Sequence, residues 1–171
     1  MPAVAVKIAD AKPQAAVFVG SAQDALKWST QMKKSLPNVA LFYGGDEGSL
    51  PVLLGDRMGS EDVYLITSYL ASDETAENQA FVKSFQEQYS ELPDVSAALA
   101  YDATRLLAEA IRTAGSINPV KVRDALSKLD TFPSVTGALT FGTDHHAVRP
   151  LFVVQIKGGQ PVLRKRYGPE E

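Results

Sequence analysis

Two short segments of the chain have residue types and spacing suited to holding a small charged molecule. Gly20-Ser21-Ala22-Gln23 joins an apolar run, Ala15-Ala16-Val17-Phe18-Val19, to a helical pattern that continues to about Lys34. Ser21, with Asp24 three residues on, has the form of a capping box. The free amides of such a helix start attract a carboxylate or another anion, which makes Ser21, Ala22 and Gln23 candidate ligand contacts; a plain turn and cap is the alternative. The second segment, Gly44-Gly45-Asp46-Glu47-Gly48, follows the apolar run Val39-Ala40-Leu41-Phe42-Tyr43. Its glycines let the backbone turn and approach a ligand closely. Asp46 and Glu47 offer carboxylates to a cationic group such as an ammonium, unless the segment is simply a solvated acidic loop.

Other reactive side chains lack company. His145-His146 follows Asp144 in an expected turn. Adjacent histidines on a strand point apart and no third ligand is spaced for a metal, so none is expected. No serine or lysine has the surroundings of an activated nucleophile, so neither a catalytic residue nor a cofactor is expected. Trp28 lies on a helix, where core packing is favoured over stacking on a ligand. Arg164-Lys165-Arg166 reads as a solvated edge strand.

The elements that would position these residues follow from hydrophobic periodicity. Residues 3–11 are helical and close at Lys12-Pro13. Residues 15–19, 39–43 and 63–67 are continuous apolar runs with helical segments between them (21–34 and a short one at 50–54). That order, βαβαβ, predicts a buried parallel sheet flanked by helices. Phe81, Val82, Phe85 and Tyr89 share one helix face. Asp94 caps a longer helix whose apolar stripe is Leu99, Ala103, Leu106, Leu107, Ala110, Ile111 and Ala114, with a stop at Gly115. Asn118-Pro119 opens a short helix with Val122, Leu126 and Leu129 inward. Strands are expected at 135–141, 151–156 and 162–163, the last two joined by a Gly158-Gly159 turn.

Composition narrows the function classes. The 171 residues include 45% hydrophobic and 22% charged types, ordinary for a globular chain. The absence of cysteine excludes disulfides, thiol nucleophiles and thiolate-bound metals. A net charge of -3 has nothing of the basic footprint of a nucleic-acid binder. No apolar run reaches the roughly 18 residues of a membrane span. No basic segment leads into an apolar one at Met1-Pro2-Ala3-Val4, so the start reads as mature or trimmed, without a signal peptide.

Phe42-Tyr43-Gly44-Gly45-Asp46-Glu47 looks like the GGDEF signature of diguanylate cyclases, which turns a hairpin and holds metal. The likeness stops at Gly48, where that family has Phe; Pro51 follows where a hairpin strand should continue, and the family's upstream motifs are missing. A broader likeness runs through Ala16-Val17-Phe18-Val19-Gly20, Tyr43-Gly44-Gly45-Asp46, Val63-Tyr64-Leu65-Ile66-Thr67, Ala98-Leu99-Ala100-Tyr101-Asp102-Ala103, Val122-Arg123-Asp124-Ala125-Leu126, Thr136-Gly137-Ala138-Leu139-Thr140-Phe141 and Arg149-Pro150-Leu151-Phe152-Val153-Val154-Gln155-Ile156. In that order these segments resemble the C-terminal half of a type I periplasmic solute-binding protein of the branched-chain amino acid (Leu/Ile/Val) group of ABC transporters.

The resemblance implies two α/β lobes with ligand held in the cleft: residues 1–68 and 148–171 in the second lobe and 69–147 in the first. It places ligand contacts at Ser21, Ala22 and Gln23, at Asp46 opposite a ligand amino group, and at Ser96, where the family often has an aromatic residue. It implies an amino-acid-like solute, a membrane permease as possible partner, and an extracytoplasmic or periplasmic location. A ligand-sensing domain would use the same fold. A full member is about twice as long, so the chain is expected either to pair with a second copy or to be part of a longer protein.

Overall fold

The computed structural model describes residues 2–45, 63–142, 144, 146–157 and 160–168. In chain order its elements are α1 (Pro2–Asp10), β1 (Ala15–Gly20), α2 (Ala22–Ser35), β2 (Ala40–Gly45), β3 (Val63–Thr67), α3 (Ala76–Tyr89), α4 (Val95–Ala114), α5 (Pro119–Leu126), β4 (Phe132–Ser134), β5 (Gly137–Phe141), β6 (Ala147–Val148), β7 (Leu151–Lys157) and β8 (Gln160–Tyr167). They fall into two units: Met1–Thr67 with Phe152–Arg166, and Ser68–Leu151 with Tyr167–Glu171.

The first unit is built on a five-stranded sheet in the order β1-β2-β3-β7-β8. β1 pairs with β2 and β2 with β3 in parallel, in register Phe18↔Tyr43 and Phe42↔Tyr64. β7 returns antiparallel to β3, with Leu65 opposite Val154, so the sheet is mixed and mostly parallel. α2 lays Ala25, Trp28 and Met32, at helical spacing, against one sheet face, and all three are buried. Leu41, Tyr43, Val63, Leu65, Phe152, Val154 and Ile156 are the buried apolar residues on the described strands of this unit. Trp28 is a core residue, its ring 5.3 Å from that of Phe18.

β1 departs from the expected buried strand. It ends the strand order, and its residues alternate between half-buried and exposed, with Val17 63% and Val19 75% exposed. A continuous apolar run cannot tell a covered strand from an open one, because it records composition and not neighbours. β2 also runs further than expected, taking in Gly44 and Gly45. The short helix expected at 50–54 and the Gly158-Gly159 turn lie outside the described residues.

In the second unit, Tyr69, Phe81, Val95, Ala98 and Val135 form the core, with Phe85 and Leu99 packed against it. Asn78 of α3, fully buried, donates to the carbonyls of Leu70, Ala71 and Asp73 and so shapes the segment ahead of its own helix. The strand expected at 135–141 is a hairpin instead: β4 and β5 pair antiparallel around Val135 and Thr136, with Gly137 at φ 100. That dihedral is open to glycine and strained for other residues, which fixes the turn at this point.

Candidate functional site

β1 runs into α2 with no linker beyond Ser21. Ser21 is extended (φ -72, ψ 152), and its Oγ accepts from the Asp24 amide at 3.2 Å and donates to Asp24 Oδ2 at 3.0 Å. The Ser21 carbonyl takes the Ala25 amide at 2.9 Å. The helix's own bonding therefore does not reach the first-turn amides of Ala22 and Gln23, which stand beyond the carboxyl end of a strand in an open α/β sheet, where ligands of such folds are held. Ser21 and Gln23 are exposed.

The remaining candidates are placed differently. Asp46 and Glu47 lie outside the described residues, directly after Gly45, which pairs with Gly20 at the ends of β2 and β1. Because Gly44 and Gly45 are in register with Val19 and Gly20 of a parallel strand, they are not the turn of a hairpin, which removes the geometry that a GGDEF-like site would need. Ser96 is exposed in the first turn of α4 in the second unit, next to the cap in which Asp94 Oδ1 accepts from the Ala97 amide at 2.8 Å. Among the described residues no group of three or more histidine, aspartate or glutamate side chains could hold a metal ion.

Two features of the structure were not singled out from the sequence. The hydroxyl of Tyr43 crosses from β2 to donate to the Gly20 carbonyl at 2.7 Å. In the second unit, buried Asp102 accepts from the Val135 amide (2.9 Å), the Thr136 amide (3.1 Å) and Thr136 Oγ1 (2.9 Å). The Tyr101-Asp102-Ala103 and Thr136-Gly137 motifs, more than thirty residues apart in sequence, are thus two sides of one hydrogen-bonded joint. Their reappearance in order was the available signal. Burial, with added opposition from the charges of Asp102, Asp73 and Asp94, pushes the Tyr69 phenol well above its ordinary range.

A sequence model of the periplasmic binding protein family matches residues 1–160. Among solved structures, a solute binding protein of an ABC transporter from R. palustris, in complex with benzoate, shares 26% identity at a TM-score of 0.76, covering 98% of this chain and 46% of that one. A branched-chain amino acid transporter substrate binding protein from Streptococcus pneumoniae, in complex with isoleucine, shares 25% identity at a TM-score of 0.76, covering 97% and 47%. A leucine binding protein from Thermotoga maritima has the same fold at a TM-score of 0.86 and 22% identity, covering 98% and 48%. The chain spans about half the length of each of these proteins.

Proposed function

Because the chain belongs to the periplasmic binding protein family, a family of extracytoplasmic solute-binding proteins and not of enzymes, we propose that it serves solute recognition for an ABC transporter and that its ligand is an amino acid. The observation that carries this reading is the start of α2, where Ser21 caps the helix and intrahelical bonding does not reach the Ala22 and Gln23 amides at the carboxyl end of β1. Such a helix start favours an anion by its dipole and its unbonded amides, and the carboxylate of an amino acid supplies one. Asp46, directly beyond β2, would face the ammonium. Glu47 is the neighbouring carboxylate that could take that role, and Ser96 would belong to the first-lobe side, lining a roomier or more polar side-chain pocket than an aromatic residue would. Residues 1–68 with 148–171, and 69–147, would be parts of the two lobes. Location in the periplasm and a membrane permease as partner follow from the same reading; a ligand sensor would share the site, and a permease and ATPase encoded beside this gene would favour transport.

A second ligand class has its own support: the R. palustris protein holds benzoate, a carboxylate without an ammonium. Both classes use the anion site, and only the amino acid needs Asp46. Calorimetric titration with leucine and with benzoate, on the wild type and on Asp46→Ala, tests this. Loss of one partner of a dehydrated ion pair costs on the order of 2–5 kcal/mol, so leucine binding should weaken by that amount with the fold intact. Unchanged leucine affinity would pass the role to Glu47 or to no acidic residue, and benzoate binding indifferent to the substitution would favour an aromatic acid.

A further inference from the structure

The start of α3 holds two shielded polar atoms that the fold's own bonding leaves unmatched. Asn78, the third residue of the helix, is fully buried. Its Nδ2 faces the carbonyls of Leu70, Ala71 and Asp73 at 3.2, 3.1 and 2.8 Å. Three acceptors on one side fix which end of the carboxamide is nitrogen. The Oδ1 on the other side has no hydrogen-bond partner among the described residues. Thr75 stands at the N-cap in extended backbone (φ -64, ψ 144), yet its hydroxyl makes no capping bond. Its Oγ1 is also shielded from solvent and has no partner among the described residues. The N-cap and the third helical position are neighbours across the first turn, where their side chains commonly serve the helix start together. Here neither oxygen does so. The bond that closes the first turn runs from the Gln79 amide to the Thr75 carbonyl at 3.0 Å.

We infer that one internal water molecule binds at this helix start, donating to Asn78 Oδ1 and accepting from Thr75 Oγ1. A buried acceptor and a buried hydroxyl are costly to leave unmatched, and internal waters are held by about two to four such groups. Ions fit the same atoms less well. A cation would lie at the positive end of the helix dipole. The carbonyls that would ligate it already accept from Asn78, and that of Asp73 also from Gln79 Nε2 at 2.8 Å. An anion would meet the lone pairs of Asn78 Oδ1, in a stretch that carries Asp73, Glu74 and Glu77. Water supplies a proton to one atom and a lone pair to the other. The chain passes from the first unit to the second at Thr67–Ser68. Residues 70–73, just beyond, are tied to α3 through Asn78, and the water adds a second tie at Thr75.

Thr75→Val and Thr75→Ser, made in the full chain, test the water by the sign of their effects. Valine keeps the shape and removes the hydroxyl. With the water bound, Thr75→Val deprives it of a donor and loosens its hold on Asn78 Oδ1, so urea unfolding should show the unfolding equilibrium constant raised roughly fivefold. Without the water, valine replaces an unmatched buried hydroxyl, and the constant stays level or falls; that result overturns the inference. Thr75→Ser, which keeps the hydroxyl and loses the methyl, should lie nearer the wild type than Thr75→Val. The reverse order would assign the effect to packing of the methyl and count against the water. A crystal structure of the wild-type chain gives the direct reading: an ordered water within hydrogen-bond distance of both Thr75 Oγ1 and Asn78 Oδ1 is expected. No density at that point, or a cation there, would overturn the proposal. So would a Thr75 hydroxyl turned to cap an α3 amide or to bond Asn78 directly, which explains a loss of stability in Thr75→Val with no water involved.

Discussion

Asp102 shows how much one buried carboxylate organises in the second unit. Its two oxygens receive three donors from the β4–β5 turn, and charge-assisted bonds of this kind are the strong ones. Asp102→Asn keeps the volume and one acceptor but sets an amide NH2 against the Thr136 donors. A buried donor left unmatched costs about 1–3 kcal/mol, so urea unfolding should show Asp102→Asn destabilised by about 3 kcal/mol. A change within 0.5 kcal/mol, the range of ordinary surface substitutions, would mean that water or another acceptor takes over the turn. Nearby, Ser134 Oγ bonds Thr136 Oγ1 at 2.9 Å and also the Gly137 carbonyl, so the turn is held from within as well. The type of residue at position 102 was visible in the sequence; that its carboxylate points inward to a turn 33 residues away was not.

The helices were the most legible elements, because their start and stop signals are local. α2, α4 and α5 begin where Ser21, Asp94 and Asn118 were expected to cap them. Asn118 Oδ1 accepts from the Val120 amide at 3.0 Å and the Lys121 amide at 3.4 Å, and Pro119 has no amide to satisfy. α5 has eight residues, too few to hold itself without tertiary contacts and its cap. Asn118→Ala should therefore cost about 1 kcal/mol and fray α5 first, seen as faster amide exchange at residues 120–123 with α4 unaffected. Equal protection in the two proteins would show that packing of Val122 alone holds the helix. Strand boundaries were harder to read. Residues 135–141 look like one strand because Val135 and Thr136 favour extended backbone, yet Gly137 permits the positive φ that lets the chain double back there.

For the whole molecule, the open question is what covers its apolar edges. β1 ends its sheet with no lysine, proline or other charge among Ala15–Gly20, the devices by which edges are kept from pairing. The opposite end, β8, carries Arg164-Lys165-Arg166, with Arg164 bound to Gln155 and Arg166 over the Phe152 ring. In the second unit the wide stripe of α4 is only partly covered, with Leu107 51% exposed. A chain spanning half the length of its structural relatives would leave such edges for a second copy or for further polypeptide. If a second copy covers them, light scattering at low micromolar concentration gives a mass above 18.4 kDa. A cooperatively unfolding monomer of that mass would show that β1 is stable at an open edge.

The sequence by itself determined the alternation of strands and helices, the caps and the Ser21–Gln23 corner, because each depends on residues within one or two turns of one another; the stripe expected on α4 was not its buried face, which runs through Val95, Ala98, Asp102 and Ala110. Tertiary structure decided the rest. Only strand pairing could show that β7 runs antiparallel to β3 and that β1 is an edge, since a run of valines and alanines is the same run with one neighbour or two. Only packing could bring the Tyr43 hydroxyl to Gly20 and the Asp102 carboxylate to Thr136. A hydrogen bond between distant residues depends on where the chain places both ends, and neither end carries the address of the other.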